Sequence, residues 1–455
     1  MLTIVNEPSK GVQQNIGMQI LRYGTKYKKS PYLKEVKIDD GLLVYNVLTS
    51  EIMLIDEGIY NCPYNELKNN LIKHWYYLEE NVNPMSIADM FKQAVTNKQF
   101  YNKNNQSNSY VIMTTSVCNA RCFYCYECGL QQRPMTDDIA KNVAKYLVQN
   151  NKQRLHLTWF GGEPLCNPNV IRIISSHLKK YGVVFNSSMI SNGYLLGDFS
   201  IDEIKNDWKL GNIQITIDGT KNVYQTVKNY RNNDENAYEK IFDNIRNLLE
   251  NDIGVSIRIN VGLHNGDDVL DLIQELADNF KEYKKFKVYA SPLFIGEGDP
   301  PLMLTNDEAD KLYSNVKNAC IKLKNLGFKQ RNFNINIEDY SPFHCMADSG
   351  GAKMITIDGN LTPCEHHVDT EICGNIYDGV TNLDLLETWK ERLYVPECKS
   401  CFNYPKCVKI TKCSTDNICE KPQRMLMDYY IETRMIEIYE EYKDNHNCNH
   451  CNNCK

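Results

Sequence analysis

The chain has 455 residues, 42% of them hydrophobic and 24% charged, a globular composition too long for one ordinary core, so two or three domains are expected. Its 51 basic and 57 acidic residues leave a net charge of −6, which excludes any general electrostatic case for nucleic acid or an anionic membrane as partner. No stretch reaches the ~18 apolar residues of a membrane span and the N-terminus lacks a basic segment followed by an apolar run, so a cytoplasmic location is expected.

Residues 1–104 contain a single cysteine, Cys62, and read as a small N-terminal α+β domain. Residues 42–48 and 51–55 are two short strands joined by the turn-prone Thr49-Ser50, residues 64–81 and 86–97 are helical, and the polar run 102–109 is a linker. From Tyr110 apolar runs alternate with amphipathic ones. Strands are expected at 110–114, 154–160, 183–190, 212–217, 255–261 and 286–290, separated by helices near 137–149, 169–181, 201–207, 236–251 and 267–284. This α/β pattern predicts a partial (β/α)6 TIM-like barrel over 105–300, with its site at the strands' C-terminal ends. A bridging helical segment (301–340), a cysteine-rich domain (341–424), and a helix near 421–443 with a polar tail to residue 455 complete the expected order.

The loop after the first barrel strand carries Cys118, Cys122 and Cys125 in Val117-Cys-Asn-Ala-Arg-Cys-Phe-Tyr-Cys-Tyr126. Three thiolates at Cys-x3-Cys-x2-Cys spacing can hold three corners of an iron-sulfur cubane and leave the fourth iron open. A structural zinc site is the plainer alternative, but zinc loops usually pair Cys-x2-Cys with a second, distant pair. Phe160-Gly-Gly-Glu-Pro164 ends the second strand, Ser191-Asn-Gly193 the third and Thr216-Ile-Asp-Gly219 the fourth. Read alone, the first is an ordinary turn and the second a type I′ turn.

Together these motifs resemble radical S-adenosylmethionine (SAM) enzymes, down to the aromatic Tyr124 before the last cysteine. The resemblance implies that the open iron chelates SAM and that an electron from the [4Fe-4S] cluster cleaves it to a 5′-deoxyadenosyl radical. It further implies a SAM-binding set of Tyr124, Gly161, Gly162, Glu163, Asn192 and Thr216. The backbone at Gly161, Gly162 and Glu163 would face the methionyl ammonium, Asn192 the ribose and Thr216 the carboxylate. Related enzymes commonly carry an Arg ten residues past the Asp, where this chain has Lys228, a point charge without the bidentate fork; Arg231 and Arg258 are the alternative cations.

Eleven of the 18 cysteines lie beyond residue 344, and in a reducing compartment such clustering points to metal rather than disulfides. The order Cys345, Gly359-x4-Cys364, Cys398-x2-Cys401-x5-Cys407, Cys413 and Cys419 is similar to the SPASM domain, an auxiliary-cluster module of peptide-modifying radical SAM enzymes. Residues 353–364 fit that domain's β-hairpin, with Asp358-Gly-Asn360 as the turn. One departure is the five residues between Cys407 and Cys413, where the family pattern has three.

The resemblance assigns Cys345, Cys364 and Cys413 to an inner auxiliary cluster, with Cys373 or an open iron as the fourth ligand. It assigns Cys398, Cys401, Cys407 and Cys419 to an outer one. Zinc is the alternative for this region. Cys128 and Cys166 read as bystanders, and Cys448, Cys451 and Cys454 as a polar tail able to bind metal.

The implied activity is that of a ribosomal-peptide maturase, an oxidoreductase that abstracts a hydrogen from a precursor peptide residue and forms a thioether or other cross-link. The implied partners are a leader-bearing precursor peptide and an electron donor such as flavodoxin or ferredoxin. A winged-helix-like N-terminal domain would capture the leader as an added strand. An anaerobic sulfatase-maturing (formylglycine-generating) enzyme is the alternative, and an iron-sulfur scaffold or carrier the non-enzymatic one. No catalytic acid or base is identifiable from sequence.

Overall fold

The computed structural model describes residues 2–8, 26–60, 66–102, 108–127, 129–150, 154–293, 304–329, 335–336, 341, 343–350, 352–413 and 421–447. Its N-terminal strands are β1 (Leu2–Asn6), β2 (Tyr27–Lys29), β3 (Leu33–Ile38), β4 (Gly41–Asn46), β5 (Glu51–Ile55) and β6 (Tyr77–Glu79). An antiparallel sheet runs β1-β5-β4-β3, and β2 pairs β6. The apolar runs at 42–48 and 51–55 form β4 and β5 as expected, with Ser50 closing the turn at φ +66°.

Helices α1 (Glu57–Tyr60), α2 (Glu66–Lys73) and α3 (Pro84–Asn102) complete this segment. The helix expected over 64–81 is corrected: it ends at Lys73, Trp75 takes φ +67°, and Tyr77–Glu79 is a strand. A positive φ at a bulky residue breaks the helix. The buried aromatics Trp75, Tyr76 and Tyr77 then suit a strand between two packed clusters.

The core strands β7 (Ser109–Thr115), β8 (Leu155–Gly161), β9 (Phe185–Ser191), β10 (Leu210–Thr216), β11 (Gly254–Val261) and β12 (Phe286–Pro292) lie side by side in sequence order, all parallel. Each falls within a residue or two of its expected position. The connecting helices are α4 (Asp137–Asn150), α5 (Pro168–Lys180), α6 (Lys221–Lys228), α7 (Ala237–Glu250) and α8 (Asp268–Phe280). Their apolar stripes, such as Val170, Ile171, Ile174 and Leu178 on α5, bury against the sheet, as a parallel sheet of this kind requires. The segment expected as a helix at 201–207 is helical throughout, its last five residues, Glu203–Asp207, in π form, and α6 was not anticipated.

C-terminal to the core, α9 (Asn306–Asn325) starts at a Thr305–Glu308 capping box. After α10 (Met346–Ser349), β13 (Ala352–Ile355) and β14 (Asn360–Thr362) form the expected hairpin. β13 pairs in parallel with β7, Ile355 opposite Ile112, and β15 (Gly374–Asn375) and β16 (Gly379–Val380) extend the same sheet to ten strands. After α11 (Leu383–Thr388), the long α12 (Lys421–Asn447) buries Ile431, Met435 and Tyr439 against Leu43, Tyr45 and Ile52 of the N-terminal sheet. Among the described residues no helix is long and apolar enough to cross a membrane.

Candidate active site

The C-terminal ends of β7, β8, β9 and β10 converge on the loop that holds Cys118, Cys122 and Cys125, all three half-buried. Burial pushes the Cys118 thiol well above its ordinary pKa; the Ala120 N–H opposes this, and Glu163, Cys122 and Cys125 add to it. The three thiols thus bear on one another. Among the described residues no group of three or more His, Cys, Asp or Glu side chains is arranged to hold a single metal ion. Three thiols of one loop, close enough to act on one another, fit an iron-sulfur cluster with three protein ligands and a free corner.

The glycines of Phe160-Gly-Gly-Glu-Pro164 have a direct structural reason. A Cβ on Gly161, at φ +133°, would lie 2.1 Å from the Thr115 carbonyl oxygen, and one on Gly162 would lie 2.7 Å from the carbonyls of Ser116 and Val117. The Gly162 and Glu163 N–H groups donate to the carbonyls of Thr115 and Val117, each at 3.0 Å. Only glycine lets the strand end lie this close to the cysteine loop.

Glu163 is fully buried. Its carboxylate accepts from Ser191 Oγ at 2.9 Å, the Asn192 N–H at 2.8 Å and the Leu165 N–H at 3.1 Å, tying the ends of β8 and β9 together. Burial lifts its pKa to about 7 against these hydrogen bonds, which lower it. Asn192 Nδ2 donates to Asn119 Oδ1 at 2.7 Å, and Asn192 Oδ1 accepts from the Tyr194 N–H at 3.0 Å. The side chain expected at the ribose therefore also braces the cysteine loop.

Lys228 and Asp218 form a buried ion pair at 3.1 Å. Tyr124 Oη donates to Asp218 Oδ2 at 2.5 Å and accepts from Lys228 Nζ at 3.2 Å. Burial opposes the Lys228 charge, but Asp218 above all, then Tyr124, outweigh it and hold the ammonium well above its usual pKa. The backbone follows the same path: Arg121 N–H donates to the Lys228 carbonyl at 2.8 Å and Arg231 N–H to that of Asn119 at 2.9 Å.

The alternative cations have partners of their own. Arg231 Nη2 donates to Gln132 Oε1 at 2.5 Å and Arg258 Nε to Asn260 Oδ1 at 2.8 Å. Thr216 ends β10 half-buried, opposite Arg258. Asn119, Ser191, Asn260 and Asn265 were missed in the sequence. Asn265 Nδ2 donates to the Asp218 carbonyl at 2.6 Å, and the Asn260 N–H donates to Asp218 Oδ1 at 3.1 Å. Polar residues at the end of a strand or in the loop just past it were the available signal.

In the C-terminal region Cys345, Cys364 and Cys413 come together. Burial raises the Cys364 thiol, and Glu365, Cys345 and Cys413 raise it further. Cys345 responds likewise to Cys413, and both Cys364 and Cys413 pack beside Trp389 and Ile410. Asp348, buried, accepts from the N–H groups of His344 and Cys345 and pairs with Arg392 at 2.6 Å. Cys373 stands apart: its thiol donates to the Leu361 carbonyl at 3.2 Å within the core of the large sheet.

Cys398, Cys401 and Cys407 share one short loop, and Cys166 is half-buried after β8. Cys62, Cys128, Cys419, Cys448, Cys451 and Cys454 lie outside the described residues, as do residues 103–107 of the linker expected at 102–109, whose ends fall in α3 and β7.

Comparisons with known proteins fall on the same region. A stretch of 125 residues is 30% identical to an uncharacterized protein of Methanocaldococcus jannaschii, covering 27% of this chain and 42% of that one. The chain thus spans less than half of that relative's length. It is 20% identical over 319 residues to the radical SAM cyclopropyl synthase TigE of Paramaledivibacter caminithermalis, covering 55% of this chain and 67% of TigE. The fold is similar to a solved structure of anSMEcpe with bound AdoMet and peptide, with a TM-score of 0.56 at 17% identity over 73% of this chain and 99% of that one. Residues 112–277 match the radical SAM superfamily, a stretch that takes in the loop of Cys118, Cys122 and Cys125 and the strand ends around it.

Proposed function

We propose that the protein is a peptide maturase whose core is a partial (β/α)6 barrel and whose C-terminal region is a SPASM domain. Cys118, Cys122 and Cys125 would hold the cluster that binds SAM. Cys345, Cys364 and Cys413 would hold an inner auxiliary cluster, and Cys398, Cys401 and Cys407, with Cys419, an outer one. The observation that carries the reading is the gathering of Cys345, Cys364 and Cys413 beside a hairpin that adds directly to β7, the strand leading into the Cys118 loop. The anSMEcpe structure, with AdoMet and peptide bound, supports a peptide as the substrate class.

When bound, SAM and a reduced four-iron cluster supply a 5′-deoxyadenosyl radical. The chain's own residues hold and shield the site. Glu163 locks the ends of β8 and β9, Asn192 and Asn119 brace the loop, and the Lys228–Asp218–Tyr124 group fixes the aromatic residue between the second and third thiols. The N-terminal sheet offers an edge to a leader peptide, as strand addition would use. The bond formed would be a thioether or other cross-link, with electrons from a flavodoxin or ferredoxin in the cytoplasm.

Iron and zinc analysis tests the cofactor set: roughly twelve irons per chain support three cubanes, and roughly four with zinc refute the SPASM assignment. Coexpression with short reading frames next to the gene tests the substrate. A peptide that loses two hydrogens by mass supports cross-linking. Formylglycine in a sulfatase instead would replace this reading.

A further inference from the structure

The loop bearing Cys398, Cys401 and Cys407 packs on the N-terminal segment. Its Phe402 and Tyr404 join the apolar cluster of Tyr45, Trp75 and Phe91. Lys406 between the thiols is buried, its Nζ donating to Tyr45 Oη and the Ile335 carbonyl. Three residues on one stripe of α3 face the loop. Met85 Sδ accepts from Tyr394 Oη at 3.7 Å, Asp89 Oδ1 from Tyr404 Oη at 2.8 Å, and Lys92 Nζ lies 3.9 Å from the centroid of the Tyr404 ring.

Of these, Lys92 is the cation, and its place over the ring of Tyr404, between Cys401 and Cys407 in the chain, sets it beside the thiol loop. Burial weakens its charge, while Cys407, Asp89 and Cys398 sustain it and Arg392 opposes it. Arg392 itself is turned to Asp348 at 2.6 Å and to the Val408 carbonyl at 2.8 Å. Cys398 is only 8% exposed, so charge on this thiol set is screened poorly and a facing cation acts on it strongly.

We propose that Lys92, supplied by the N-terminal segment, is the charge partner of the Cys398–Cys407 metal group and a positioning residue that stabilises its more negative, reduced state. The proposal rests on the reading that these thiols hold an auxiliary cluster. It makes α3 and the outer metal group one electrostatic unit, so that a ligand shifting α3 would shift the potential of that group.

The test compares the full-length parent, Lys92→Met and Lys92→Arg after anaerobic reconstitution, by iron and zinc content and by redox titration followed by electron paramagnetic resonance. The outer signal is assigned by its loss in Cys398→Ala. Lys92→Met should keep its iron and move that one signal to a more negative potential, the other signals unmoved, and Lys92→Arg should restore it. An unchanged potential in Lys92→Met overturns the proposal, as does an equal shift of every cluster. If the parent holds zinc in this loop, the cluster reading fails independently and the variants are compared by zinc loss to a chelator. Faster loss from Lys92→Met than from Lys92→Arg then supports the charge pairing, and equal rates overturn it.

Discussion

Asp218 Oδ2 accepts a 2.5 Å hydrogen bond from Tyr124 Oη, a residue 94 positions earlier, and the same carboxylate pairs with Lys228 at 3.1 Å. The turn just past β10, the C-terminal end of α6 and the cysteine loop are thereby joined through one buried charged group. Removing Lys228 as Lys228→Met leaves Asp218 buried without its cation, a loss of about 3–5 kcal/mol. Tyr124→Phe removes one hydrogen bond to a charged acceptor and costs about 1.5–3 kcal/mol. Chemical denaturation under argon checks both, and Lys228→Met should be the more damaged.

The carboxyl of Glu163 gives a pH dependence of defined sign. Its pKa is about 7 in the fold against an ordinary 4.5, so the unfolded chain ionises first as pH rises. Its stabilising contribution is complete below about pH 4.5 and is lost as pH climbs through about 7, an effect of up to about 3 kcal/mol. Glu163→Gln removes this slope. It also turns an amide NH2 toward the Ser191 and Asn192 donors and lowers stability overall by about 1–3 kcal/mol. Unfolding temperatures between about pH 5 and about pH 8 for parent and variant measure both effects.

Gly161→Ala and Gly182→Ala separate close approach from backbone strain. Both glycines have positive φ, but a Cβ on Gly161 meets the Thr115 carbonyl at 2.1 Å whereas one on Gly182 meets nothing within 4 Å. Gly182→Ala should cost about 1–2 kcal/mol and retain iron. Gly161→Ala must push the cysteine loop away from β8, costing about 3 kcal/mol or more and reducing iron content.

The Arg133–Asp358 pair, bidentate with both contacts at 2.5 Å, links the cysteine loop to the hairpin turn but is 43% and 39% exposed. Such a pair contributes at most about 1 kcal/mol. Arg133→Ala should leave folding and iron content unchanged, which thermal unfolding and iron analysis would show.

The parallel strands β7 to β12 were legible because each is a short β-branched or aromatic run whose period sets it apart from the amphipathic helices between. The pairing of β13 with β7 was not legible, since residues 352–355 meet residues 109–112 across the whole core and nothing local encodes that contact. The same limit hid β1, which pairs with β5 about fifty residues on. Trp75 shows a different failure, where an apparently helical run is ended by one residue in the left-handed region.

Within the site, counting ten past Asp218 found Lys228, but only the fold shows its ammonium shared by Asp218 and Tyr124. Spacing identified the cysteines at the core; it did not separate Cys373, whose thiol is committed to the Leu361 carbonyl, from Cys345, Cys364 and Cys413.

The most direct test of the central claim is the formation of 5′-deoxyadenosine from SAM under dithionite by the anaerobically reconstituted protein. The parent should form it, and Cys118→Ala should form none. A parent that forms none despite full iron loading, or a Cys118→Ala variant that matches the parent, would contradict the account.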